Sequence, residues 1–290
     1  MSQHERFCKP ATCAGKLAGG YMLEQSEYPL SFFPAAGESP GAVDAGFRFG
    51  AKGTHTSRTI MFDELQQVLA AAPTDAKRQD YAQAIIEGNC LSKPTASTRR
   101  LTNQRLGELY ALDPAVPAFR VLRRLWDVQV EGRCLLALLI SIARDPLLAA
   151  TAPSIVFLPV NGEFGRESMK SALQSMVGGR LSVSTLDKVC RNAASSWAQS
   201  GHLEGRTFKR RRPVNTTPTV VAFALYLSQA AGFRGAEIFS SAWLRVLDCD
   251  PSRARHLAIE AKRNGLIDLR MSGEVVEMNL SRLDPHSTRS

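Results

Sequence analysis

The sequence predicts a mainly α-helical chain: an N-terminal helical bundle followed by two winged-helix-like units with short β-hairpin wings. Three observations lead there. Apolar residues recur at helical spacing from about residue 57 onward. Twice, at His202 to Arg212 and at Leu266 to Leu280, a helical pattern ends in a glycine and gives way to a short stretch that reads as a hairpin. With 290 residues, 44% hydrophobic and 22% charged, the composition is that of a globular chain with room for two or three small domains. The boundaries read as a disordered leader over 1–50, a bundle over 51–150, a linker over 151–164, a first unit over 165–213, a second over 214–281 and a disordered tail over 282–290.

The leader holds Pro10, Pro29, Pro34 and Pro40 among many glycines and shows no sustained periodicity, so little fixed structure is expected before Phe47. Met22 and Met61 lie downstream as alternative starts. His4, Cys8 and Cys13 are metal-ligand types, but a zinc site wants four ligands at recognisable spacing and no second pair follows, so no metal site is expected.

In the bundle, Met61, Leu65, Val68 and Leu69 define a first helix, and Tyr81, Ala84, Ile85 and Gly88 a second. Pro94 ends that stretch, and Ser97 is expected to cap the next helix, which carries Leu101, Leu106 and Leu109. Beyond a turn at Asp113-Pro114 and Pro117, two more helices carry Phe119, Leu122, Leu125 and Trp126, then Leu135 to Ile142. The apolar run Cys134 to Ala143 falls well short of the roughly 20 residues of a membrane span, so it reads as a buried core helix. Arg99, Arg100 and Arg105, with Arg120, Arg123 and Arg124, decorate the surface, either as a solvated face or as a phosphate-contacting one. The linker contains Ile155 to Leu158, expected as one short strand.

In the first unit Ser168 is expected to cap a helix bearing Met169, Leu173, Met176 and Val177, stopped by Gly178-Gly179. Ser184-Thr185-Leu186-Asp187 has capping-box spacing. The helix that follows buries Leu186, Val189, Cys190, Ala193 and Trp197 and presents Lys188, Arg191, Asn192, Ser195 and Gln199, side chains suited to phosphates and base edges. After Gly201 comes a ribbon turning at Glu204-Gly205 and carrying Arg206, Lys209, Arg210, Arg211 and Arg212. Four consecutive like charges repel, and a polyanion would relieve that cost and release counterions. These ten residues form the primary DNA-binding candidate.

The second unit repeats the plan. Thr217-Pro218 opens one helix, a shorter one begins near Ala236, and Asp250-Pro251 opens a third. Arg253, Arg255, His256, Lys262 and Arg263 are expected to face outward. The second wing carries Glu274 and Glu277 and suits phosphate less, so packing or protein contact competes here with DNA binding. Arg99, Arg100, Arg105, Arg253, Arg255, Lys262 and Arg263 form a secondary nucleic-acid candidate set. The tail from Ser281 is expected to fray.

The 36 basic and 27 acidic residues give a formal net charge of +9, which favours phosphate polymers or anionic lipid heads as partners. No P-loop, dinucleotide loop, G-x-S-x-G elbow or H-E-x-x-H helix is present, so no catalysis, cofactor or small-molecule substrate is expected. Cys90 is a nucleophile type, but neither His55 nor His202 is identifiable from sequence as its partner, and a buried structural cysteine is commoner. The six cysteines are mostly scattered singly, which fits a reducing cytoplasm, and no apolar secretory segment follows Met1.

Several stretches together resemble the BrxA family of bacterial BREX phage-defence systems. They are Gly53-Thr54-His55-Thr56-Ser57-Arg58, Tyr81 to Asn89, Lys93 to Arg99, Arg105-Leu106 through Leu109-Tyr110, Ala143-Arg144-Asp145-Pro146-Leu147-Leu148, and Ser195-Ser196-Trp197 with Ser200-Gly201-His202-Leu203. The resemblance covers roughly residues 50 to 280 and departs in the leader. It implies a small, non-catalytic protein that binds double-stranded DNA alongside other proteins of the defence system. The family's helical part is similar to the RNA-binding antitermination factor NusB. Two alternatives follow: an RNA-binding, antitermination-like protein, and a scaffold of the defence complex. The preference for DNA over RNA comes from the resemblance rather than from any residue.

Overall fold

A computed structural model describes residues 30–34, 39–50, 52–273 and 275–285. The described chain is mainly helical with two small two-stranded antiparallel sheets. In chain order the elements are α1 (Pro40–Ala45), α2 (Phe62–Ala71), α3 (Arg78–Ile86), α4 (Ala96–Tyr110), α5 (Pro117–Trp126), α6 (Arg133–Arg144), α7 (Pro146–Ala150) and α8 (Pro153–Val156). Then come α9 (Arg166–Val177), α10 (Val183–Gln199), β1 (Leu203–Glu204), β2 (Arg210–Arg211), α11 (Pro218–Ala231), α12 (Ala242–Arg245), α13 (Pro251–Arg263), β3 (Asp268–Ser272) and β4 (Val275–Asn279). Short 3-10 turns lie at Thr54–Thr56, Val130–Gly132 and Gly235–Ser240.

α6 is the hub. Every residue from Leu135 to Ala143 is buried, because the helix is enclosed by α4, α5, α7, α10 and α11. α11, which carries no charged residue, packs on α13, α1, α12 and α5, so one apolar cluster runs from Ala42 to Leu283. The core-helix expectation for Cys134 to Ala143 holds, and no single helix among the described residues is long and apolar enough to cross a membrane. Local chemistry sets several ends as expected. Thr217 and Asp250 accept the N–H groups that open α11 and α13, each with proline in the first turn, and Gly178 and Gly232 take the left-handed conformation that closes α9 and α11.

Other expectations are corrected. The cap of α4 is Thr95, not Ser97; its Oγ1 accepts from Thr98 N at 3.1 Å. α9 starts after Gly165, and Ser168 lies inside it with its hydroxyl on Gly165 O. α10 is capped by Ser182, whose Oγ accepts from Thr185 N at 3.2 Å, so the Ser184–Asp187 spacing falls two residues too late. Ile155 to Leu158 is not a strand: Pro153 starts α8 there, and Ile155 is fully buried. It is residues 161–164 that pair with the first hairpin, through Asn161 N to Arg211 O (2.8 Å), Arg211 N to Gly162 O (3.0 Å) and Phe164 N to Lys209 O (2.8 Å).

Before Phe47, α1 is formed, and Phe32 packs edge-on against Trp243 at 4.8 Å while Trp243 Nε1 donates to Phe32 O at 2.9 Å. Aromatic burial on the core holds this segment in spite of its prolines; residues 1–29 lie outside the described residues, as do His4, Cys8 and Cys13. At the other end Leu283 and Asp284 are buried, and Arg120 grips Asp284 through two 2.7 Å bonds, so the chain is anchored beyond Ser281.

Candidate nucleic-acid interface

α9 and α10 meet across Gly178-Gly179, both at positive φ (54° and 80°). The apolar stripe of α10 is buried as expected: Leu186, Val189, Cys190, Ala193 and Trp197. Its polar face divides in two. In the N-terminal half, Lys188 and Arg191 are exposed. Arg191 lines a cleft with Arg166 and Lys170 of α9, where Lys170 pairs with Asp187 at 3.1 Å. In the C-terminal half, the segment 54–62 crosses the helix. Asn192 Nδ2 donates to His55 O (2.8 Å), Gln199 Nε2 donates to Thr59 Oγ1 (3.1 Å), and Gln199 Oε1 accepts from Phe62 N (3.2 Å). Asn192, half-buried, and Gln199, still exposed, thus spend hydrogen bonds on the 54–62 segment; Ser195 is half-buried beside them.

The basic ribbon divides in the same manner. Leu203 pairs with Arg211 and Glu204 with Arg210, leaving 205–209 as a loop longer than a turn at Glu204-Gly205. Strand alternation sends Leu203 and Arg211 inward. The Arg211 side chain, only 2% exposed, donates to Ile155 O at 3.1 Å, to Arg212 O and to Asp248. Arg212 bonds Glu204 at 2.6 Å and Asn161 Oδ1 at 2.5 Å. Of the four consecutive cations, Arg211 is therefore neutralised inside the protein and Arg212 is paired on its surface, which is how the fold tolerates the run. Arg206 and Arg210 remain exposed, and Lys209 leans on Gly205 O at 3.1 Å. Between them Phe208 stands 71% exposed. Phe208 and Arg166 were not singled out from the sequence; an apolar residue inside a basic turn was the available signal for the first.

The secondary candidates are scattered. Arg100 is exposed, Arg105 is held by Glu108 at 2.7 Å, and the Nε atoms of Arg99 and Arg105 are buried without a partner. Arg123 is buried against Asp127, and Arg120 serves Asp284, so of that trio only Arg124 faces solvent freely. Arg255 lies over the Phe239 ring at 5.5 Å, while Lys262 and Arg263 sit in the last turn of α13, where cations complement the helix dipole. Arg253 is exposed, and Glu277 stands opposite Arg270 on the second hairpin. The Glu274 side chain lies outside the described residues.

A polar cluster sits under the interface. His55 Nδ1 is 2.7 Å from Asp145 Oδ2, and His55 Nε2 is 2.8 Å from Ser196 Oγ. These are the contacts of a serine–histidine–aspartate relay, yet all three residues are fully buried. Ser196 Oγ also accepts from Ile60 N (3.0 Å) and lies 2.8 Å from Asn192 O, while Asp145 accepts the N–H groups of His55, Leu147 and Leu148. Burial opposes ionisation of Asp145, but the adjacent His55 ring and the hydrogen bonds from His55 and Leu148 hold its carboxyl below the usual range. The arrangement ties the start of the bundle to α7 and α10. His202 is likewise buried, between Ser200 Oγ (2.9 Å) and Val246 O (2.6 Å). Burial pushes the Cys90 thiol up, which disfavours a nucleophilic thiolate. No group of three or more metal-ligating side chains occurs among the described residues.

No protein-family model matches the chain, and no curated protein matches it.

Proposed function

We propose that the protein binds double-stranded DNA without catalysis, as a component of a bacterial phage-defence system of the BREX type. One observation carries the DNA reading: Lys188 and Arg191 on α10, and Arg206 and Arg210 on the adjoining hairpin, are exposed and have no carboxylate within 4 Å among the described residues. In this reading α9, α10 and the β1–β2 ribbon form a winged helix-turn-helix whose N-terminal recognition-helix turns face the major groove, the part of such helices that reaches base edges. α11 to β4 form a second such unit, used for packing or for contact with other defence proteins. The segments that carry the family resemblance meet at His55, Asp145 and Ser196, which supports reading them as one fold-determining unit. RNA binding through the bundle is disfavoured because Arg105 is already neutralised by Glu108.

A gel-shift salt series on the wild type and on the quadruple variant Lys188→Ala, Arg191→Ala, Arg206→Ala, Arg210→Ala tests this. The slope of log affinity against log salt falls by about 0.9 for each phosphate that is no longer neutralised. Unchanged affinity and slope sink the proposal, and a clear preference for structured RNA in competition reverses it in favour of RNA.

A further inference from the structure

Phe208 is the most exposed of the large apolar side chains among the described residues, at 71%, and it sits at the tip of the one cationic hairpin. A single exposed apolar side chain is ordinary on a protein surface; what sets this ring apart is its place on a braced tip among cations. The tip is built rather than slack. Gly205 has φ +112°, and a Cβ there would come within 2.1 Å of Phe208 O, so the loop closes backbone to backbone. Lys209 Nζ closes it a second time on Gly205 O at 3.1 Å. Below the tip, Arg211 is buried on Asp248, and Arg212 bridges Glu204 and Asn161. The ring is thus presented at the end of a braced arm, with Arg206, Lys209 and Arg210 beside it.

An aromatic ring between cations at the end of a ribbon matches two features of the duplex minor groove. The groove is about 6 Å wide, too narrow for a helix but open to a ribbon tip, and its potential attracts arginine. Apolar wedges entering there part a base step and kink the duplex. We propose that Phe208 is such a wedge: with the N-terminal turns of α10 in the major groove, it inserts between two base pairs of the flanking minor groove while Arg206 and Arg210 hold the phosphates on either side. This rests on the DNA-binding reading above, and it adds a distortion of the DNA that cations alone would not produce.

The test compares Phe208→Ala, Phe208→Trp and Arg210→Ala. Affinity is measured for a perfect duplex of about 20 base pairs and for the same duplex with one central mismatch, and end-to-end fluorescence transfer reports bending. A mismatch lowers the cost of parting the stack. The wild type should bind the mismatched duplex about tenfold more tightly and shorten its end-to-end distance. Phe208→Ala should lose both effects while keeping the wild-type salt slope, and Phe208→Trp should keep both. Arg210→Ala should lower the slope and keep the mismatch preference. Phe208→Ala indistinguishable from wild type on both duplexes overturns the wedge and leaves the DNA reading standing. No duplex binding by the wild type removes that reading itself. A Phe208-dependent preference for single-stranded oligonucleotide over either duplex, or a self-association that Phe208→Ala abolishes, overturns the wedge in favour of that occupant.

Discussion

Replacing Arg211 by alanine and replacing Arg210 by alanine should have opposite consequences, although the residues are neighbours in one run of cations. The Arg211 guanidinium is buried, bonded to Ile155 O and Asp248, and the second oxygen of Asp248 accepts from Val214 N at 2.9 Å. Arg211→Ala removes the cation and leaves Asp248, whose side chain is only 22% exposed, without its counter-charge. Breaking a buried pair in this way costs about 3–5 kcal/mol. The partial exposure of Asp248 places the cost near the lower end, about 3 kcal/mol. At roughly 2–4 °C per kcal/mol for a chain of this size, the melting temperature should fall by about 6–12 °C. Among the described residues Arg210 has no carboxylate within 4 Å, its cross-strand neighbours Glu204 and Glu163 lying farther off, so Arg210→Ala should change stability by less than about 0.5 kcal/mol. It should instead lower the salt slope of DNA binding by about 0.9. Calorimetric melting and a gel-shift series on the same preparations separate the two effects, and Asp248→Ala should reproduce the loss seen with Arg211→Ala. An Arg211→Ala protein that melts with the wild type yet loses DNA affinity as Arg210→Ala does would refute the division of the basic run.

Three further outcomes are expected. Burial holds the His202 imidazole neutral down to about 4, whereas in the unfolded chain it protonates near 6.5. Stability is therefore full above the higher value and falls as pH drops through the window, by about 3 kcal/mol. Loss of the depressed Asp145 carboxylate adds to this in the same direction only below the ordinary aspartate range; equal urea midpoints at pH 7 and pH 4.5 would count against the His202 contribution. Asn192→Ala and Gln199→Ala should each destabilise the fold by about 1 kcal/mol, by removing hydrogen bonds to the 54–62 segment, and leave the salt slope unchanged; a changed slope would place them on the DNA face. Ser182→Ala should cost about 1 kcal/mol and Ser184→Ala little, read from denaturant midpoints, because Ser182 is the residue that caps α10; the reverse order would restore the later cap.

Much of the helical framework is local chemistry and was legible along the chain. The stripe Leu186, Val189, Cys190, Ala193 and Trp197 marks the buried face of α10, and Thr217-Pro218, Asp250-Pro251 and Gly178 mark helix ends, because each signal acts within one or two turns. Caps two residues from a competing hydroxyl, such as Ser182 beside Ser184, differ from the sequence expectation, since either residue satisfies the same local rule. The candidate site was legible in outline: the exposed Lys188, Arg191, Arg206 and Arg210 belong to the helix and ribbon that the pattern singled out.

What remained free in that site was decided by contacts across long stretches of chain. His55 reaches Asp145 over 90 residues and Ser196 over 141, and Arg211 reaches Asp248 over 37. Helical periodicity distinguishes an apolar face from a polar one, but a polar side chain has the same sequence signature whether it meets water, DNA or a buried carboxylate. The amino-acid order determined which faces are polar; only the tertiary structure decided which of those polar groups are already satisfied, because neutralising a charge depends on distance in space.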